Sequence, residues 1–225
     1  MKTLLLWDID GTLIDSGGAG ERALRLALQR EFAIEDSFAW LEYFGRTDLW
    51  IARSILEKHH GAATPATIRR FLAAYLKALG EEMNNPHARI LPGIADIIAR
   101  VSGTSAIAQG LLTGNLRQGA ETKLGHLGLW AAFPFGAFAD DAEQRDDLGP
   151  HALRRASAHC GNNFSPAQVF VIGDTPHDIS CGKAIGANTV AVATGRYTRE
   201  QLQSHKPTIV FEDFADTVGF FSALK

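Results

Sequence analysis

Asp8 and Asp10 stand two residues apart at the end of a short apolar run and are followed by Gly11 and Thr12. Alternate residues of an extended chain share a face, so both carboxylates flank one small site if the strand continues. Gly11 lets the chain turn tightly behind them. Two carboxylates in one site can divide the work, one attacking while the other moves a proton. Thr113-Gly114-Asn115, Asp140-Asp141 and Gly173-Asp174-Thr175-Pro176-His177-Asp178 also follow strand-like runs. Carboxylates gathered in one place repel, and they stay ionised together only if a cation compensates. Hard oxygen donors without Cys or a well-placed His suit Mg²⁺ better than zinc. The eight histidines show no ligand spacing; His59-His60 reads as solvated and His177 as bordering the site.

The elements that must carry these residues follow from hydrophobic periodicity. Thr3 to Ile9 reads as a buried strand, and Gly20 to Arg30, Asp48 to His59 and Thr67 to Leu79 as helices. Pro92 suits a first helical position, and Ile94, Ile97, Ile98 and Val101 form the stripe of the helix behind it. From there strands and helices alternate. Strands are predicted at Ala106 to Thr113, Phe135 to Ala139, Val169 to Gly173, Thr189 to Ala193 and Ile209 to Phe211. Helices are predicted at Leu116 to Gly128, Leu148 to Cys160 and Ile179 to Ile185, with one more at the C-terminus. Such alternation predicts an α/β fold, a Rossmann-like parallel sheet covered on both faces. In open α/β sheets ligands bind outside the carboxyl ends of the strands, where the acidic motifs lie. Between Ile9 and Ala106 only helices are legible. That surplus is too long for a loop in a compact domain, so 15–86 is expected to be an inserted helical cap and 1–14 with 87–225 the core.

Composition narrows the function classes. Hydrophobic residues make up 46% and charged residues 21% of 225, which excludes collagen-like and largely disordered chains. Lys and Arg number 22 against 25 Asp and Glu, a net charge of −3 that gives no reason to expect nucleic acid or an anionic membrane as partner. No apolar run reaches the roughly 18 residues of a spanning helix. The apolar run before Asp8 is too short for a signal-peptide core. The two cysteines, Cys160 and Cys181, form no metal or redox spacing and suggest a reducing, cytoplasmic setting.

Asp8 to Leu13, Thr113 and the stretch Gly173 to Asp178 together resemble the motifs of the haloacid dehalogenase-like hydrolases, in the phosphoglycolate phosphatase-like branch. The resemblance runs over essentially the whole chain and in the family's order. It implies a Mg²⁺-dependent phosphatase with an aspartyl-phosphate intermediate, acting on a small phosphorylated metabolite. By that resemblance Asp8 is the nucleophile and Asp10 the general acid/base, its backbone carbonyl also touching the metal. Thr113 would hydrogen-bond the phosphoryl group, Gly114 and Asn115 would border it, and Asp174 would join Asp8 and Asp10 as a metal ligand. Asp178 would give support through water or from behind. The family's third motif is usually a Lys. Here Arg145 is assigned to it, with Lys123 as a competitor that reads as a surface helix residue. Gly45-Arg46-Thr47 resembles the cap loop that touches substrate, which would set Arg46 against an anionic group. A sugar-phosphate mutase shares every core motif. A metal-independent haloacid dehalogenase shares Asp8 but has no need of Asp10. A phospho-acceptor signalling domain uses similar residues at half the length and without the helical insert.

Overall fold

The computed structural model describes residues 2–224. Its core is a six-stranded, all-parallel sheet in the order β5-β4-β1-β6-β7-β8. The strands are β1 (Thr3–Trp7), β4 (Ile107–Leu112), β5 (Gly136–Ala137), β6 (Val169–Gly173), β7 (Asn188–Val192) and β8 (Ile209–Phe211). β1 is central, paired with β4 and β6, and Leu4 to Trp7 are all fully buried. This is why the run before Asp8 is continuously apolar rather than alternating. The pleat sends Leu5 and Trp7 into one layer and Leu4 and Leu6 into the other. On the first face lie α4 (Ile94–Ser102), α5 (Arg117–His126) and α9 (Thr217–Ala223), where Phe220 stacks on Trp7 with ring centroids 5.7 Å apart. On the second lie α6 (Gly149–Cys160) and α7 (Pro176–Ala184).

Between β1 and β4 the chain makes three long helices, α1 (Ala19–Phe32), α2 (Asp48–His60) and α3 (Pro65–Glu82). Their apolar stripes, among them Leu24 and Leu28, Ile51 and Ile55, and Phe71, Tyr75 and Leu79, close on one another in a core of their own. The stripes predicted from periodicity are buried, except that Leu76 of α3 is only half-buried and Ala78 takes its place.

Several expectations need correction. β2 (Ile14–Asp15) and β3 (Arg89–Ile90) pair antiparallel where only helices were legible. Two residues each are too few for alternation to show. Pro92 is not the first residue of α4; Gly93, with φ 76°, caps a helix that begins at Ile94. α7 starts at Pro176, three residues early, because Thr175 and Asp178 form a reciprocal capping box. α8 (Arg199–Ser204) was not anticipated. His59 is not solvated: its Nε2 lies 2.5 Å from Asp36 Oδ2. The side chain of His60 lies outside the described residues. Among the described residues no helix is long and apolar enough to cross a membrane.

Candidate active site

The carboxyl ends of β1, β4 and β6 converge under α1, α2 and α3 and border a cavity of about 420 Å³. Asp8 is buried at its floor, one residue past β1. Gly11 then takes φ 75° and donates to Ile14 O at 2.8 Å, closing the turn. A side chain there would collide with the Asp174 carboxylate. The tight turn thus sets the first acidic motif directly against the last.

Asp8, Asp174 and Asp178 place carboxylate oxygens within 4.8 Å of one another, all three buried. One cation stands among them. Arg145 Nη2 donates to Asp8 Oδ1 at 2.8 Å, to Leu112 O at 3.3 Å and to Asp178 Oδ1. Its Nη1 reaches Gly45 O at 3.3 Å. Asp178 has its other oxygen occupied by Thr175, from N at 3.0 Å and from Oγ1 at 2.7 Å. It therefore braces Arg145 and the turn before α7. Asp174 accepts from Thr12 Oγ1 at 3.2 Å.

Three carboxylates around one guanidinium leave excess negative charge among buried side chains. Burial pushes the Asp8 carboxyl up to about 6, with Arg145 offsetting part of the effect. Burial and then the neighbouring Asp178 and Asp8 hold Asp174 well above the usual carboxylate range. Burial is the larger cause of both shifts and the neighbouring carboxylates add to it. An all-oxygen donor set short of about two charges fits a hard divalent cation.

The Asp10 carboxylate turns away from this cluster. Lys123 Nζ meets its Oδ2 at 2.6 Å and Asn115 Nδ2 meets the same oxygen at 3.0 Å. Burial pushes Asp10 up, but Lys123, Asn115 and Ser16 together hold the carboxyl below its ordinary value. As a side-chain ligand Asp10 is thus not grouped with Asp8 and Asp174. Lys123 is no surface residue: it is 3% exposed and its Nζ also donates to Asn115 Oδ1 at 2.7 Å. The available signal was its place on the buried face of α5 with Gly119, Ala120 and Leu124, where an uncompensated Lys would be costly.

Thr113 is fully buried, and its Oγ1 accepts from Asn115 Nδ2 at 2.9 Å and N at 3.3 Å. Gly114 passes so close to the loop before α2 that a Cβ would meet Arg145 Nη1 at 2.9 Å and the Arg46 carbonyl closer still. Asp48 N donates to Gly114 O at 2.7 Å, and Asp48 Oδ2 accepts from Leu116 N at 2.7 Å. Thr47 Oγ1 donates to Glu143 O at 2.5 Å. These bonds seat residues 45–48 on the core. Arg46 borders the cavity with its guanidinium 4.5 Å above the Trp50 ring and its buried Nε without a partner. His177 does not line the cavity.

Asp140 and Asp141 do not belong to the site. Asp140 Oδ2 accepts from Arg117 N at 2.6 Å at the start of α5. Asp141 is clamped by Arg155 at 2.6 and 2.7 Å. A strand-end position alone does not distinguish a helix cap from a site residue.

Comparison with known proteins agrees with this geometry. Residues 5–183 match the model of the haloacid dehalogenase-like hydrolase family. A Dickeya dadantii protein described as a probable phosphatase, IndB, is 29% identical over 100% of this chain and 95% of its own. A phosphoglycolate phosphatase of Rhodospirillum rubrum is also 29% identical, over 98% and 92%. The crystal structure of CbbY from Rhodobacter sphaeroides, in complex with phosphate, shares the fold with a TM-score of 0.77 at 20% identity, covering 96% of each chain. With the acidic floor, the basic residue beside it and a family model that spans most of its length, this enzyme belongs to the haloacid dehalogenase-like hydrolases.

Proposed function

We propose that this hydrolase is a phosphomonoesterase that works through an aspartyl-phosphate on Asp8, with Mg²⁺ as cofactor. The observation that carries the reading is the buried Asp8 carboxylate, oriented by Arg145 at 2.8 Å on the floor of a covered cavity. Asp8 Oδ1 is tied to Arg145, so Oδ2 is the oxygen available to attack phosphorus as the ester P–O bond breaks. Asp10, entering the step protonated on Oδ1, the oxygen that Lys123 and Asn115 leave free, gives the departing alkoxide that proton and is left ionised. It then takes a proton from the water that attacks phosphorus and frees Asp8. Lys123 and Asn115 keep Asp10 aimed during both transfers. Arg145 and the Thr113 hydroxyl steady the phosphoryl oxygens. Asp8 and Asp174 would hold Mg²⁺ with the Asp10 carbonyl, Asp178 bracing from behind. When bound, the ion neutralises charge on the phosphoryl group.

The segment 15–86 acts in this reading as a cap that keeps bulk water out, and Arg46 meets substrate from it. The substrate is a small phosphorylated metabolite, as the names of the full-length relatives suggest. Phosphate release from a panel of phosphorylated metabolites tests the reading. Asp8→Asn should retain no more than a few per cent of the rate, since shape is kept and the nucleophile is lost. Greater retention refutes the nucleophile. Excess EDTA should stop turnover and Mg²⁺ restore it; full activity in EDTA refutes the metal and points to dehalogenase chemistry. Isomer formation without free phosphate would instead mean a mutase.

A further inference from the structure

Helix α5 has no capping side chain of its own, because Leu116 stands at the position before it. The first N–H groups of a helix need acceptors from outside it. Arg117 N finds one in Asp140 Oδ2 at 2.6 Å, and Leu116 N finds one in Asp48 Oδ2 at 2.7 Å. Asp48 comes to Leu116 across 68 positions, from the first turn of α2. Its own backbone N donates to Gly114 O at 2.7 Å. One buried residue thereby fastens the backbone on both sides of Asn115.

Asn115 carries that restraint to the acid–base pair. Its Nδ2 donates to Asp10 Oδ2 at 3.0 Å and to Thr113 Oγ1 at 2.9 Å, and its Oδ1 accepts from Lys123 Nζ at 2.7 Å. Lys123 Nζ in turn meets Asp10 Oδ2 at 2.6 Å. Asn115 thus donates to Oδ2 of Asp10 itself and also holds the ammonium that donates to the same oxygen. If Asn115 shifts, both holds on Asp10 loosen and Oδ1 loses its aim. A misplacement of about 1 Å in a reacting group can cost about a hundred-fold in rate.

We infer, resting on the phosphomonoesterase reading, that Asp48 is a positioning residue for proton transfer: by holding Gly114 O and Leu116 N it fixes Asn115, and through Asn115 it aims Asp10 at the ester oxygen. The consequence depends on the leaving group. p-Nitrophenol is a far stronger acid than an alkyl alcohol, so p-nitrophenolate departs without a proton and ethoxide does not. kcat/KM covers the steps up to that departure, so a poorly aimed Asp10 lowers it further for the alkyl ester.

The test measures kcat/KM with Mg²⁺ for ethyl phosphate and p-nitrophenyl phosphate. Asp48→Leu keeps most of the volume and removes the acceptor. Its kcat/KM for ethyl phosphate should fall roughly ten- to a hundred-fold, and about five-fold or more beyond the fall for p-nitrophenyl phosphate. Asp48→Asn keeps an oxygen for Leu116 N and should recover most of the loss. Added to Asn115→Ala, Asp48→Leu should cost little more, because the route through Asn115 is already gone. Equal losses for the two esters, an Asn variant no better than Leu, or a full further loss on Asn115→Ala overturns the inference and leaves the phosphatase reading standing. If Asp48→Leu does not fold, Asp48→Ala replaces it; loss of the fold in both makes Asp48 structural and also overturns the inference. Absence of phosphate release by wild type from both esters defeats the phosphatase reading instead. In that case, or if ethyl phosphate alone is not hydrolysed, the NMR signals of the Asn115 side-chain amide decide the placement. They should move in Asp48→Leu and stay in Asp48→Asn, and signals unmoved in Asp48→Leu overturn the inference.

Discussion

Arg145 is the residue whose removal tests the site most sharply. Its side chain is 4% exposed and lies between two carboxylates, Asp8 and Asp178, that are 6% and 3% exposed. Arg145→Ala would leave both buried charges without their cation, and truncating one partner of a buried charge pair costs roughly 2–5 kcal/mol. At about 1.4 kcal/mol per tenfold, turnover should fall by roughly thirty-fold to a few thousand-fold. Arg145→Lys restores the charge but not the fork. One ammonium on a different stem cannot also keep the contacts to Leu112 O and Gly45 O that the guanidinium makes. Lys should therefore recover part of the loss. Initial rates at saturating Mg²⁺ read the effect, and thermal unfolding of each variant separates lost chemistry from lost fold. Near-wild-type turnover in Arg145→Ala would refute the assignment. A Lys variant no better than Ala would show that charge is not what the residue supplies.

Lys123→Met keeps the length of the side chain and removes the ammonium from Asp10 and Asn115. With a charged hydrogen bond worth about 1.5–3 kcal/mol, the rate should drop by roughly ten- to a hundred-fold, and an unchanged rate would return Lys123 to a structural role. Burial pushes Asp48 up to about 6, so the folded state holds its proton more tightly than the unfolded chain does. That contribution to stability is present at low pH and is lost as pH rises through about 6. Asp48→Asn should therefore gain about 2 kcal/mol on wild type in urea unfolding between about pH 4 and pH 8, and a constant difference would contradict the shift. Mg²⁺ at about 100 times its dissociation constant should stabilise the fold by about 2.7 kcal/mol, less any affinity of the unfolded chain. Absence of any rise in Tm at saturating Mg²⁺ would count against the metal site.

What the sequence determined by itself was local or periodic. The apolar run before Asp8, the stripes of α1, α3 and α4 and the strand–helix alternation after residue 106 report burial directly, because each element must hide one face or stripe. The acidic motifs were legible for the same reason: a parallel sheet brings the ends of its strands to one edge. Only the tertiary structure decided which charges meet. Arg145 reaches Asp8 across 137 positions and Lys123 reaches Asp10 across 113. Nothing local distinguishes such partners from solvated residues. Asp140 and Asp141 sit at strand ends too, yet one caps a helix and the other binds Arg155, because their side chains point off the site. Asp174 and Asp178 lie in one short motif but differ in what surrounds them. Thr175 and Arg145 hydrogen-bond both oxygens of Asp178, whereas Asp174 accepts from Thr12 and is pushed up by burial and by the neighbouring Asp178 and Asp8. Motif spacing gives the residue types, and packing at low dielectric assigns their partners.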